Sequence, residues 1–296
     1  MQTGSVVALG FFDGVHLGHG ALLTRARQKA SQLGCPATVL SFDRHPSALI
    51  AGHSVPLINT VEDRQRLMMR YYHIDKVVLA PFHSQMMHMP WQTFVKEYLA
   101  ATLHPVHIIC GHDYHFGYRG EGTPQRLAKL CQEQNWGCDV IDKVSIDGIT
   151  VSSTYIRSLI GQGKIREANR FLGHPHLLTG QVIPGNRIGA TLGFPTANLL
   201  LPPGIVCPLP GVYATKVNIQ DRSYMAVTNV GTHPTVGPAP QTLVESWILD
   251  FSGDLYGKEI QVEFYDFLRQ EQTFSSLAAL KAAIGRNAEQ VRAFFA

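Results

Sequence analysis

Residues 6–19 read Val6-Val-Ala-Leu-Gly10-Phe-Phe-Asp-Gly-Val-His16-Leu-Gly-His19. Val6 to Leu9 is a short apolar run of the kind that forms a buried strand. A glycine-containing turn follows, and two imidazoles then bracket Gly18 at the threshold of a helical pattern. From Gly20 to Leu33, Leu22, Leu23, Ala26, Ala30 and Leu33 recur at helical spacing, with Arg25, Arg27 and Lys29 on the other side and Gly34 as a stop. A strand running into a helix start presents free N–H groups and partial positive charge, which suits a phosphate. Gly18 lets a phosphate approach the backbone. His16 and His19, three residues apart, can each donate a hydrogen bond to a phosphate oxygen as charge builds. Adenylyl or cytidylyl transfer requires no covalent nucleophile, only alignment and charge stabilisation.

Outward from this stretch, strand and helix signals alternate. Ala37–Phe42, Lys76–Leu79, Val106–Cys110 and Asp139–Asp142 read as strands, and Val61–Tyr72, Trp91–Leu103 and Pro124–Gln134 as helices. This alternation predicts a parallel sheet with helices on both faces, with ligands at the carboxyl ends of the strands. Ser152–Leu172 reads as helical, interrupted near Gly161-Gln-Gly163, and His174-Pro175-His176 as a linker. Beyond Leu178 the pattern changes to frequent turns, at Pro184-Gly185, Pro202-Pro203-Gly204, Pro210-Gly211 and Gly237-Pro238. Between them lie the β-type runs Gly211–Val217, Tyr224–Val230, Val244–Phe251 and Ile260–Phe264. Short strands with such punctuation predict a small barrel or sandwich. Leu277–Phe295 closes the chain as a helix. The expected domains are 1–173 and 177–296.

With 296 residues, 45% hydrophobic and 16% charged, the chain can build two ordinary cores. A net charge of +3, from scattered basic residues, fits anionic small molecules and argues against nucleic acid. Five cysteines, odd in number and without a CxxC pair, indicate neither a disulfide framework nor a zinc site. No stretch approaches the roughly 18 apolar residues of a membrane span. A cytoplasmic protein is expected, with no membrane partner and an oligomeric state the sequence leaves open.

A second dense stretch runs Gly180-Gln-Val-Ile-Pro-Gly185-Asn-Arg-Ile-Gly189-Ala-Thr-Leu-Gly193-Phe-Pro-Thr196-Ala-Asn198. Gly185, Gly189 and Gly193 allow close backbone approach to phosphates, and their N–H groups can bind anions. Thr196 and Asn198 offer hard oxygen ligands on one face of an extended chain. Mg2+ favours such oxygens alongside substrate phosphates.

Several segments carry a family resemblance. His16-Leu-Gly-His19 after a first strand resembles the nucleotidylyltransferase superfamily. Gly111-His-Asp113-Tyr-His-Phe-Gly117 and Ser152-Ser153-Thr154-Tyr-Ile-Arg157 resemble that superfamily's G-x-D-F-x-F-G and S-S-T-x-x-R segments. With Phe12-Asp13-Gly14-Val15, the set resembles the bacterial bifunctional riboflavin kinase/FMN adenylyltransferase (FAD synthetase) family. Downstream, Gly189 to Asn198 resembles the riboflavin kinase signature G-x-x-L-G-F-P-T-A-N, and Asn229-Val-Gly231-Thr-His-Pro-Thr235 the segment N-x-G-x-R-P-T. Glu245, Asp254-Leu-Tyr256-Gly257 and Leu268-Arg269-x-Glu271 follow in the family's order.

The resemblance covers Val6 to Phe295. It implies a Rossmann-like N-terminal domain and a C-terminal antiparallel β-barrel with a terminal helix. It implies ATP as co-substrate, with riboflavin, FMN and FAD as substrates and products. Gly10, Phe12, Asp13, Gly18, Asp113, Ser153, Thr154 and Arg157 would bind nucleotide beside catalytic His16 and His19. In the second domain Gly185, Gly189, Gly193 and Thr196 would bind nucleotide, Thr196 and Asn198 the metal, and Asn229, Arg269 and Glu271 the flavin. Glu245 would be the general base for the ribityl hydroxyl. Asp113 can also be read as a turn residue, and Ser153 and Thr154 as helix caps, roles compatible with phosphate binding. The pattern departs at Arg44 (proline is usual) and at His115, Ala190 and His233 (arginine is common), and the lead before the first strand is short. Two other readings use the same fold: one working active site, or a non-catalytic flavin-binding regulatory module. Intact His16, His19, Arg157, Thr196, Asn198 and Glu245 argue against the latter.

Overall fold

Strand β1, Ser5–Leu9, is buried along its whole length because a strand lies on each side of it. β2 (Ala37–Phe42) and β4 (Pro105–Gly111) flank it, and β3 (Lys76–Ala80) and β5 (Gly137–Ile141) form the edges. All four pairings are parallel and the order is β3-β2-β1-β4-β5. The order reverses at β1. A parallel sheet leaves a crevice outside the carboxyl ends of its strands at such a switch point. The structure, a computed structural model, describes residues 4–46, 55–185, 194–233 and 241–296. It divides into one unit of Met1–Pro56 with Thr60–Ser153 and another of Leu57–Asn59 with Thr154–Ala296.

In the first unit, helix α1 spans Leu17–Leu33 and ends at Gly34, whose φ of 64° is the left-handed conformation a helix stop uses. It starts three residues earlier than the apolar spacing predicts, because the side chain of His16 caps it. Helix α2, Val61–Tyr72, is capped by the Thr60 hydroxyl, which accepts from the Asp63 N–H. Residues 91–103 are helical as expected, with a π-helical middle, Phe94–Leu99. Helix α3, Pro124–Glu133, has Thr123 as cap and proline at its first position, where no N–H is missed. Val7, Leu9, Leu40, Ile108 and Cys110 from the strands pack with Phe94, Leu99, Leu127 and Cys131 from the helices. A short hairpin, β6 (Ser145–Ile146) and β7 (Ile149–Thr150), turns through Asp147 and Gly148, both at positive φ.

Helix α4, Ser153–Gly161, and helix α5, Ile165–Leu172, are separated at Gly163, φ 74°, the break the two glycines predict. The expected linker at 174–176 shortens to His174 and Pro175, which lie in neither helix nor strand. His176 opens strand β8 (His176–Gln181) and has no exposed surface. Asn169 explains the change: its Oδ1 accepts from the His176 N–H at 2.7 Å and its Nδ2 donates to the Phe264 carbonyl at 2.8 Å. Those bonds hold α5 on the sheet with no slack between.

That sheet has six antiparallel strands. β9 is Thr196–Leu200, β10 Gly211–Ile219, β11 Arg222–His233, β12 Gln241–Ile248 and β13 Glu259–Arg269. The order is β8-β13-β10-β11-β12-β9, curled into a half-barrel whose edges meet where the Ile183 N–H donates to the Asn198 carbonyl. Tyr213, Val230, Val262 and Phe264 are fully buried, and a line of hydroxyls, Thr215, Thr228 and Ser246, is satisfied internally. Helix α6, Leu277–Phe295, lays Ala288 and Val291 on Val212, Ala214 and Val227. No helix among the described residues is long and apolar enough to cross a membrane.

Candidate active sites

The turn after β1 is tightly determined. Gly10 leaves room for the Phe12 ring, which a Cβ at Gly10 would meet at 3.0 Å. Phe12 and Val15 take left-handed backbone, φ 62° and 44°, which β-branched and bulky residues adopt only when the surroundings impose it. Asp13 is buried in the intervening turn. His16 then caps α1: its Nδ1 accepts the His19 backbone N–H at 3.2 Å. A neutral His16 therefore carries its proton on Nε2. The two rings stack, centroids 3.6 Å apart and planes 12° from parallel. A Cβ on Gly18 would meet the His16 ring at 3.1 Å, so the glycine makes room for the imidazole.

Burial, then His16, then Arg64 hold the His19 imidazole well below its ordinary pKa. Its Nδ1 is buried without a hydrogen-bond partner, and its ring meets the Phe12 ring edge-on, centroids 5.2 Å apart. Ser153 reaches the same turn, its hydroxyl donating to the Asp13 carbonyl at 2.9 Å. Asp113 sits exposed just beyond β4, the strand beside β1, with an Oδ1 that a Cβ on Gly111 would meet at 3.2 Å. Gly10, Phe12, Asp13, His16, Gly18, His19 and Ser153 are thus brought together, with Asp113 on the neighbouring strand end. Thr154 and Arg157 follow on α4, where Arg157 Nη2 donates to Thr154 Oγ1 at 3.1 Å. Arg44 is an exposed side chain 3.7 Å from Asp43, and His115 Nδ1 lies 2.9 Å from the Asp113 carbonyl.

In the second unit the register builds the site. Asn198 on β9 pairs with Glu245 on β12, which pairs with Asn229 on β11. Residues paired directly across strands share a face, so the three side chains form a row. Thr196, two residues before Asn198, pairs with Trp247, whose ring packs on Phe194 at 4.6 Å. Asn198 is buried, and its Oδ1 has no hydrogen-bond partner, a costly state that a bound cation or donor would relieve. Gly185 lies against it, since a Cβ there would fall 2.3 Å from Asn198 Nδ2. Asn229 Nδ2 donates to Glu271 Oε1 at 3.2 Å, and Gly231 leaves the space that carboxylate occupies. Arg269 is turned to α6: its Nε donates to Asn287 Oδ1 at 3.1 Å, and burial together with Arg286 lowers its pKa. The row therefore unites Asn198, Glu245, Asn229 and Glu271 and leaves Arg269 at its border. Gly189, Gly193 and Ala190 lie outside the described residues, as does the side chain of His233.

Sequence reading passed over two residues of the first site, Ser41 and Arg64. Both bind the Phe11 carbonyl, at 2.9 and 2.8 Å. Ser41 lies in an apolar strand and offered no signal. Arg64 falls three and four residues before Leu67 and Met68, on the apolar face of α2. An arginine in phase with that stripe was the available clue.

Family models described as FAD synthetase and riboflavin kinase match residues 1–155 and 172–295. Relatives named bifunctional riboflavin kinase/FMN adenylyltransferase are similar over nearly the full chain. That of Listeria monocytogenes is 36% identical over 293 residues, 98% of this chain and 92% of its own. That of Pseudomonas fluorescens is 35% identical, over 100% and 94%. That of Escherichia coli is 35% identical, over 99% and 94%. A solved structure described as a macrolide-efflux protein from Streptococcus pneumoniae superposes with a TM-score of 0.87 at 31% identity, over 99% of this chain and 95% of that one. Both halves of the molecule are accounted for, and the chain belongs to the bifunctional riboflavin kinase/FMN adenylyltransferase family.

Proposed function

We propose that the chain phosphorylates riboflavin with ATP to give FMN, then transfers AMP from a second ATP to FMN, giving FAD and pyrophosphate. The observation that carries this reading is that each unit holds one polar arrangement suited to phosphate chemistry: a stacked histidine pair on a helix start in one, and a carboxylate–amide row on a sheet in the other.

In the kinase half, Glu245 accepts the proton of the ribityl hydroxyl as that oxygen attacks the γ-phosphorus and the bond to ADP breaks. Asn229 and Glu271 orient the flavin beside it. The orphaned Oδ1 of Asn198, with Thr196 on the same face, fits Mg2+. Thr196 and Asn198 would hold the ion, which would supply charge neutralisation for the phosphates. In the adenylyltransferase half, the FMN phosphate displaces pyrophosphate at the α-phosphorus of ATP. The Nε2–H of His16, aimed by the bond at its Nδ1, donates to a phosphate oxygen, and His19 acts beside it. Asp113, Ser153, Thr154 and Arg157 hold the nucleotide, the guanidinium suiting phosphate oxygens in particular. Gly189 and Gly193 continue the nucleotide loop of the kinase half. The functional halves are 1–173 and 177–296. Partners are small molecules, not nucleic acid or membrane, and five free cysteines support a cytoplasmic setting.

Incubation with riboflavin, ATP and Mg2+, followed by chromatographic separation of flavins, tests this. FMN and FAD are both expected. No product would favour a binding module, and FMN alone, or FAD only from added FMN, a single working site.

A further inference from the structure

Arg64 belongs to none of the motifs above, yet among the described residues it heads the fully buried side chains by volume, with 1% of its surface exposed. Burying a guanidinium is costly, and an apolar side chain would fill the same space on the inner face of α2 at lower cost. Its partners show what the charge does. Nη1 donates to the Phe11 carbonyl at 2.8 Å and Nη2 to the Phe42 carbonyl at 2.7 Å, so one planar group ties the turn after β1 to the end of β2. The guanidinium carbon lies 4.2 Å from the centroid of the Phe11 ring, a cation–π contact. The clamped residue immediately precedes Phe12, the first left-handed position of the turn that delivers His16. Left-handed backbone is costly at each such residue and persists only where neighbours over-determine it. Ser41 supplies one restraint on Phe11, and Arg64 supplies two, besides its bond to the Phe42 carbonyl.

Arg64 Nε is buried with no hydrogen-bond partner. Asp13, Glu62 and Asp43 offset the burial, which brings the guanidinium down to about 10 and leaves it charged at neutral pH. That charge also helps keep His19 neutral. From these contacts we infer that Arg64 is a positioning residue for adenylyl transfer: it clamps the Gly10–Asp13 turn so that His16 and His19 stand stacked at the start of α1.

This inference rests on the adenylyltransferase reading of the site, and the test separates the two. The full chain is compared with Arg64→Met, near in volume but uncharged, and Arg64→Lys, which keeps the charge and one donor group. For each, kcat and KM of FMN adenylylation are measured, with riboflavin phosphorylation and thermal unfolding alongside. If the unaltered chain makes no FAD from FMN, the functional reading fails. If it does, Arg64→Met should lower adenylylation kcat about 100-fold with KM for ATP changed less than about threefold, and Arg64→Lys should recover about tenfold. Riboflavin phosphorylation should stay within about twofold throughout. Unchanged kcat in Arg64→Met, or a lysine variant no better than methionine, would overturn the assignment. Should the methionine variant unfold the first unit, the lysine variant decides: a kcat lowered at least about fivefold with unchanged unfolding temperature supports it, and an unchanged kcat refutes it.

Discussion

The imidazoles of His16 and His19 stack at 3.6 Å, and the backbone N–H of one is capped by Nδ1 of the other. On the proposed reading His16 both caps the helix and donates a hydrogen bond to phosphate, while the His19 ring can be replaced with the capping bond kept, since that bond uses its backbone N–H. We predict that His19→Ala lowers FMN-to-FAD conversion about 100- to 1,000-fold and leaves FMN formation intact. Glu245→Gln, at the centre of the Asn198–Glu245–Asn229 row, should do the reverse, by a factor on the order of 100 to 10,000. Separate assays of the two products check this; loss of both activities in either well-folded variant would refute the two-site assignment.

Two glycines of the kinase half stand where no side chain fits. A Cβ on Gly185 would lie 2.3 Å from Asn198 Nδ2, and one on Gly231 2.4 Å from Glu271 Oε1. Gly185→Ala must push the Asn198 amide out of the row, and a displacement of about 1 Å there costs up to about 100-fold in rate. Riboflavin phosphorylation should fall at least about tenfold in each alanine variant while adenylylation of supplied FMN holds steady. Parallel initial-rate measurements of the two steps give the comparison.

His176 makes the second unit acid-sensitive. Burial, with His174 adding, pushes its imidazole down to about 3. Both ring nitrogens lack partners and the ring packs on Phe264. The unfolded chain takes up the proton near pH 6.5, whereas the folded chain does not until near pH 3, so stability is full above 6.5 and is lost as pH falls through that window. Between pH 7 and pH 5 this one group should cost about 2 kcal/mol. His176→Leu should remove that share, visible as a smaller loss of unfolding temperature in calorimetry at the two pH values. An equal loss in both proteins would sink the assignment.

Inside the curled sheet, Thr228 joins Thr215 at 2.7 Å and Ser246 at 2.8 Å, and Thr215 passes the chain on to the Ala226 carbonyl at 3.0 Å. Thr228→Val keeps the shape and leaves the Ser246 hydroxyl buried without that partner. The expected cost is about 1–3 kcal/mol, read from denaturant unfolding, with both enzymatic steps unchanged under stabilising conditions.

The alternation of apolar strands and amphipathic helices up to Ile141 made the parallel sheet legible, because a strand buried on both faces leaves an uninterrupted apolar run. Turn residues did the same for the antiparallel half. Helix α1 begins at Leu17, three residues before the apolar spacing predicts; histidine is an uncommon cap, and nothing local marks that its ring folds back on its own helix. His174 to His176 read as a linker because a proline between two histidines looks exposed; the Asn169 side chain, seven residues earlier, pins His176 as the buried start of β8.

Motif order and spacing survive without any knowledge of the fold, so the residues suited to phosphate chemistry can be named in order from the chain alone. Spacing does not determine which of them meet. Asn198, Glu245 and Asn229 are neighbours through strand register, set by pairing between distant segments. Arg64 reaches Phe11 across more than fifty residues because α2 lies against the turn after β1. Histidine pairing along one helix is local and was therefore readable. The clamp behind it and the row on the sheet are tertiary, because their geometry depends on contacts that no sequence spacing encodes.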